Sequence, residues 1–423
     1  MFSWLFSKPK EMKVIGLIDV TSGSIGGALG VLHKSGQPEI LFQIRQELPM
    51  RMHRSSADMA KDTFIAAKAV MDALRKAAAL NNEGGKITPK KIEHVAVFLS
   101  APWSSTSLRQ LRFSRERPFV MSSAVLRRML TDEAQTLASH EPGVTRLIEK
   151  IALGIRLNGY NVESISSAAI MQADVTLAAS VAPRAFIDDF AAEIGDLPHG
   201  TKLTFHSNML PTAHALATLN PTITDALIID AGAEVTEIVL IKNGIPSARG
   251  TAPVGTNILF RTSLSHAKMG KKETQTAMRL AFQEGTRLSE SHKSLFTDAA
   301  GDWAKAVSEV IRTVTEGSGV PQTIDLFADS RAQQWLASAL EGTALAFKGA
   351  GKSVLNIRNA DSQGLGTKVK NTAGTLDTSL ALKLLYADAR FDENHRLELL
   401  STDTSILERS QNSATIPTPT TTV

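Results

Sequence analysis

The sequence predicts an α/β protein of two lobes, each built on a sheet that opens with a short antiparallel meander, and three observations carry that expectation. First, two segments far apart in the chain share one design. They are Gly16-Leu17-Ile18-Asp19-Val20-Thr21-Ser22-Gly23-Ser24 and Leu227-Ile228-Ile229-Asp230-Ala231-Gly232-Ala233-Glu234-Val235-Thr236. Each is an apolar strand ending in Asp, then a turn of small residues, then a β-branched return strand. Second, 423 residues are too many for one compact core. Third, the stretch 102–182 between the two designs changes character, as an insertion into the first lobe would.

Taken in order, residues 13–48 read as the first meander, with strands at 14–18, 25–32 and 40–45 and turns at Ser22-Gly23-Ser24 and Ser35-Gly36. Residues 58–81 carry Phe64, Ala67, Val70, Met71 and Leu74 at helical spacing, and Glu83-Gly84-Gly85 stops that helix. A buried-type strand follows at 95–99. The segment 102–182 then reads as a βααβ-like subdomain, with a helix over 123–139 and strands near 148–157 and 169–180 flanking Asn158-Gly159-Tyr160. Its arginines at 109, 112, 115 and 117 read as a solvated strand-and-loop face, with an anion site as the alternative. A helix at 185–194, a strand at 203–206 and a helix from 212 return the chain to the first lobe. The second lobe opens with strands at 226–230 and 235–241, and Asn243-Gly244 is a strong hairpin signal. Residues 271–316 read as largely helical, 323–328 as a strand and 378–387 as the last patterned segment. The Thr/Pro tail after 410 has nothing to bury and is expected to be disordered. The resulting division is 1–12 as an amphipathic segment, 13–101 and 183–222 as the first lobe, 102–182 as the insert, 223–390 as the second lobe and 391–423 as a tail.

Bulk properties exclude several classes. No cysteine means no disulfide framework and no thiolate metal site. A net charge of +4 over so long a chain argues against dedicated nucleic-acid binding. No run approaches the roughly 18 apolar residues of a spanning helix. Phe2, Trp4, Leu5 and Phe6 ahead of Lys8, Lys10 and Lys13 read either as a weak interfacial foot on an anionic membrane surface or as a contact for a hydrophobic partner. With no secretory leader and no cysteine, a cytoplasmic location is expected. The histidines show no ligand spacing, and Ser100 and Ser104 lie in no nucleophile elbow.

The paired hairpins point to phosphate chemistry. A tight turn of small residues lets backbone N–H groups face phosphate oxygens, and the hydroxyls of Thr21, Ser22, Ser24 and Thr236 add donors beside Gly23 and Gly232. Asp19 and Asp230 at the strand ends are of the type that holds hydrated Mg²⁺ or orients an attacking water, which makes them the candidate metal and catalytic positions.

On these residues the chain resembles the bacterial actin-like proteins FtsA, of cell division, and PilM, of type IV pilus assembly, over about 13–390. The resemblance implies an actin-like two-lobed fold of duplicated ribonuclease H-like domains, with an FtsA/PilM-type inserted subdomain at 102–182. It implies ATP and Mg²⁺ as ligands, with residues 19–24 as the first phosphate motif, 230–236 as the second, and Gly255 and Thr256 in the segment where the family carries a paired glycine. It also implies a cytoplasmic scaffold at the inner face of the cell membrane, with division or pilus membrane proteins as partners and self-polymerisation as an expected behaviour. The departures bear on mechanism. Ala233 and Glu234 stand where the family has glycines, Leu210-Pro211 where Glu-Pro is common, and Ala328-Asp329-Ser330 where a Gly-Gly turn is expected. The adenosine-side Glu and Lys pair is not evident at Ala277-Met278-Arg279-Leu280. They point to a partly degenerate nucleotide cleft and at most a slow ATPase. The alternative is an ATP-dependent small-molecule kinase or phosphatase on the same fold.

Overall fold

The computed structural model describes residues 12–33, 36–51, 55–83, 91–138, 143–162, 169–266, 290–328, 330–343, 356–359 and 364–391. The aromatic foot at 2–6, residues 277–280 and the tail after 391 lie outside the described residues.

The first sheet begins with β1 (Met12–Val20), β2 (Ser24–His33) and β3 (Glu39–Glu47), joined as an antiparallel meander. β4 (His94–Leu99) pairs parallel to β1, and β9 (Lys202–Ser207) parallel to β4. With the short β15 (Lys370–Asn371) the order is β15-β3-β2-β1-β4-β9. The second sheet repeats the pattern. β10 (Ala226–Ala231), β11 (Thr236–Lys242) and β12 (Ile245–Ala252) form the meander, and β13 (Thr323–Ala328) and β14 (Asn356–Asn359) extend it in parallel, in the order β12-β11-β10-β13-β14. Both sheets thus show a meander laid beside two parallel strands, which is the duplicated architecture the paired hairpins predict.

Helices cover both faces of the first sheet. α1 (Ser56–Glu83) starts with Ser55 as its N-cap, because Ser55 Oγ accepts from Asp58 N at 3.0 Å and donates to Asp58 Oδ2 at 2.7 Å. It packs Ala67, Val70 and Leu74 with α3 (Arg184–Glu193) on one face of the first sheet. On the opposite face lie α4 (Met209–Leu219) and the last helix, α8 (Thr378–Phe391); the same cluster includes Ile228, Val239 and Ile241 from the second sheet. This shared layer joins the lobes. The outer face of the second sheet is covered by α5 (Asn257–His266), α6 (Glu290–Val314) and α7 (Ser330–Gly342), around the fully buried Trp303.

The insert differs from the expected βααβ order. It is β5 (Ser105–Val120), α2 (Ser123–Ala138), β6 (Thr145–Leu157), β7 (Tyr160–Val162) and β8 (Ala169–Pro183), forming a four-stranded sheet β5-β8-β6-β7 with one helix among the described residues. The arginine-rich run is itself a strand, with apolar residues alternating onto the α2 side. Its charges mask the period of two that would have marked it. Asn158-Gly159 and Asn243-Gly244 both turn with positive φ at each residue, at 48° and 88° and at 51° and 75°. That is the twist a two-residue hairpin needs.

Candidate functional site

Strand parity positions the two aspartates. In β1, Val14, Ile18 and Val20 face the α1 layer, whereas Ile15 and Leu17 face the shared layer, and Asp19 has their parity. In β10, Leu227, Ile229 and Ala231 face outward to α6, whereas Ala226 and Ile228 face the shared layer, as Asp230 then must. Both carboxyls therefore end their strands on the side where the lobes meet.

The structure brings the two turns into direct contact. Ser22 Oγ accepts from Glu234 N at 3.0 Å, and a Cβ on Gly23 would come within 2.5 Å of the Ala233 Cβ. Within the first turn, Thr21 Oγ1 accepts from Gly23 N at 3.2 Å and Ser24 N at 3.0 Å and donates to Ser24 O at 3.0 Å. Thr21 N also bonds Ser24 O. In the second, Gly232 N turns back to Asp230 O. Of the N–H groups in these turns, those of Gly23, Ser24 and Gly232 are engaged within their own turn and that of Glu234 across to the other.

Asp19 is fully buried and already surrounded by cations. Lys383 Nζ lies 3.0 Å from Oδ1, Arg45 Nη2 donates to Oδ2 at 2.9 Å, and Ser379 Oγ donates to Oδ2 at 3.0 Å. Lys383 is itself 2 % exposed and donates to Ser379 Oγ at 2.7 Å. Arg45 also grips Asp377, with Nε to Oδ2 at 2.7 Å and Nη2 to Oδ1 at 3.1 Å, and donates from Nη1 to Ser24 Oγ at 2.9 Å. Burial alone would push the Asp19 carboxyl up, but Lys383 and Arg45 outweigh it and hold it down at about 2. Asp19, the position expected to hold water-bound Mg²⁺, thus lies against an ammonium and a guanidinium of the same chain, while its buried Oδ1 accepts no hydrogen bond. Among the described residues no group of three His, Asp or Glu converges as a metal site.

Asp230 has the opposite character. Burial, then the Glu237 carboxylate directly across the ladder, push it up to about 7, against the pull of Lys383. Asn208 Nδ2 donates to its Oδ2 at 2.6 Å. Glu237 is also raised by burial, while Ala101 N donates to its Oε2 at 3.0 Å. One ammonium is thus shared between two lobes' worth of carboxyls, and it sits on Asp19. Asp230, the other expected metal position, is thus held on one oxygen by Asn208.

Other expected residues have structural work. Thr236 is fully buried, donating Oγ1 to Val254 O at 2.7 Å and accepting from Trp303 Nε1 at 2.9 Å, so its hydroxyl is bonded into the second lobe's core. Gly255 is a packing glycine, since a Cβ there would come within 2.3 Å of Gly232 O. Thr256 N and Asn257 N hold Gly232 O and Ala233 O, each at 2.9 Å. Glu234, expected to repel phosphate, is instead tied down by Arg261 at 2.7 Å and Asn257 at 2.9 Å. Sequence reasoning missed Arg45, Lys383, Asn208, Glu237 and Arg261. One signal was available for Lys383, a lone charge inside Leu380-Ala381-Leu382-Lys383-Leu384-Leu385, which only a buried partner would justify.

Comparison by sequence finds no protein-family model and no curated protein that matches the chain. Comparison of structures does. The PilM-PilN type IV pilus biogenesis complex matches at 13% identity with a TM-score of 0.57, covering 90% of this chain and 99% of that one. The ethanolamine utilization protein EutJ from Carboxydothermus hydrogenoformans matches at 14% identity and TM-score 0.43, covering 89% and 90%. A protein with actin-like ATPase fold and unknown function from Bacteroides thetaiotaomicron matches at 8% identity and TM-score 0.41, covering 88% and 96%. The likeness to PilM, together with the twice-repeated sheet order, shows the two-lobed actin-like fold.

Proposed function

We propose that this protein is an actin-like scaffold at the cytoplasmic face of the cell membrane, an assembly-platform component of the PilM kind, whose interlobe cleft is held shut by its own side chains and not by a nucleotide. The observation that carries the reading is the Asp19–Lys383–Arg45–Asp377 network, with Lys383 Nζ 3.0 Å from Asp19 and Arg45 bridging both aspartates. In a cleft that takes Mg-ATP, the carboxylate at the end of the first strand serves the cation. Here internal cations neutralise it, and Ser22 fastens one turn to the other at Glu234 N.

Where an actin-like ATPase would use ATP binding to close its lobes, this chain joins them directly, through Ser22 and Glu234 N, Asn208 and Asp230, and Ala101 N and Glu237, so it presents one fixed surface to partners. The likeness to PilM over 99% of that chain favours the pilus-type platform over the division type. Membrane proteins would be its partners, with the aromatic foot at Phe2, Trp4, Leu5 and Phe6 adding contact to an anionic surface, and self-assembly remains an expected mode of action. Isothermal titration with Mg-ATP, with turnover measured in parallel, tests the reading. It predicts no saturable heat at millimolar nucleotide and no phosphate release above blank. Saturable binding with turnover would overturn it in favour of an ATP-dependent enzyme.

A further inference from the structure

Between the insert and the second lobe lies a cleft of about 820 Å³, away from the interlobe site. Its floor is the face of the insert sheet turned from α2: Gln110 and Arg112 of β5, Asp174 and Thr176 of β8, and Gly154 and Arg156 of β6, which lie opposite one another across the ladders. Its far wall is the β11–β12 hairpin with Lys242, and Ile245 packs so closely on Gly154 that a Cβ there would come within 2.5 Å. Tyr160, 78 % exposed, stands at the rim.

The charges of this cleft are organised around one carboxylate. Asp174 accepts from Arg112 Nε at 2.8 Å and lies 3.7 Å from Arg156 Nη2, while Gln172 Nε2 donates to its other oxygen at 3.0 Å. Asp174 is 15 % exposed, but the two guanidiniums it orients are 71 % and 51 % exposed. Arg112 bonds through Nε, and its Nη groups make no hydrogen bond among the described residues. Lys242 makes no ion pair among them. Three cations against one carboxylate leave a positive cleft with donors held in place.

We infer that this cleft docks an acidic, extended segment of a partner protein, seated across Arg112, Arg156 and Lys242 with Tyr160 as the apolar anchor. Three features select that occupant. A single small anion on such exposed guanidiniums would be screened by solvent and held weakly, whereas a segment presenting several carboxylates engages all three cations at once. A bilayer surface is flat and does not enter a concave cleft between a sheet and a hairpin. Tyr and Arg are also the residue types on which protein interfaces concentrate their affinity. The inference rests on the scaffold reading only in assigning the chain a protein partner.

The test uses the full chain and a fluorescein-labelled decapeptide of alternating Glu and Val, read by anisotropy at low salt, with a Lys/Val peptide as control. Arg112→Glu with Arg156→Glu is expected to weaken acidic-peptide binding tenfold or more, because two charge-assisted contacts are lost. Both side chains are solvent-exposed, so the variant is expected to fold, and an unchanged circular dichroism spectrum checks this. Arg117→Glu, on the same strand beyond the cleft, is expected to leave binding within about twofold. Equal losses in the two variants, no binding by the wild type, or arginine-dependent binding of phosphatidylserine vesicles but not of the peptide would overturn the assignment. None of these outcomes bears on whether Mg-ATP binds between the lobes, so the two readings fail separately.

Discussion

Replacing Lys383 with Met keeps the length of the side chain in α8 and removes its charge. The ammonium is 2 % exposed and 3.0 Å from a carboxylate that is 0 % exposed, so the substitution strands half of a buried ion pair. Breaking such a pair costs about 3–5 kcal/mol when the remaining charge has no other partner. Asp19 keeps Arg45 at 2.9 Å and the Ser379 hydroxyl, which places the expected loss at the lower end, about 3 kcal/mol. Neutralising Asp19 as well, in Asp19→Asn with Lys383→Met, removes the stranded charge while Arg45 keeps Asp377. The double variant should therefore lose less than the two single losses together, by about 1–3 kcal/mol. Urea unfolding followed by fluorescence reads this out, since Trp103 and Trp303 report the first and second lobes from buried positions. The folded Asp19 carboxyl, held at about 2, contributes stability above its ordinary value of 3.8 that disappears only as pH falls toward 2. The Lys383→Met deficit should then be constant between about pH 5 and 6 and grow as pH rises through 7, because loss of the ammonium's pull raises the Asp230 carboxyl further. A single-variant loss under about 1 kcal/mol, or strictly additive losses in the cycle, would refute the idea that Lys383 acts as the cleft's internal counter-ion.

Asp230→Asn is expected to act with the opposite pH sign. The folded carboxyl is raised to about 7 from 3.8, so the folded state binds the proton more tightly and the wild type loses up to about 1.4 kcal/mol of stability per pH unit as pH rises between those values. The amide variant should lack that slope and gain on the wild type at pH 8 relative to pH 5, and parallel urea midpoints at the two pH values would count against it. Gly255→Ala should cost about 1–3 kcal/mol in urea unfolding, because its methyl would meet Gly232 O at 2.3 Å and push the second turn off the first. Thr236→Val leaves the Trp303 indole N–H buried without its acceptor, for about 1–3 kcal/mol by the same assay. Deleting residues 1–10 should abolish pelleting with anionic liposomes, and undiminished pelleting would move membrane contact elsewhere in the chain.

Much of the fold was readable because its signals are local. Apolar runs closed by Asp19 and Asp230, Asn-Gly at 158–159 and 243–244, and the helical spacing from Phe64 to Leu74 each depend on neighbours within a few residues. That both aspartates face the same layer follows from strand parity only once the packed faces are known. The insert was less legible, because arginines interrupt the apolar alternation of β5 and a proline lies near its end, and local pattern does not reveal that it runs as one edge strand.

The sequence by itself determined two matched lobes and the meeting of their carboxyl-tipped turns. Tertiary packing alone decided what those carboxyls do. Lys383 reaches Asp19 from a helix more than three hundred residues later, Arg45 crosses from the third strand to join Asp19 and Asp377, and Glu237 raises Asp230 from across a ladder. A carboxylate's role follows from the charges within a few ångströms of it in a dry interior. Those neighbours come from distant parts of the chain, so they become visible only once it is folded.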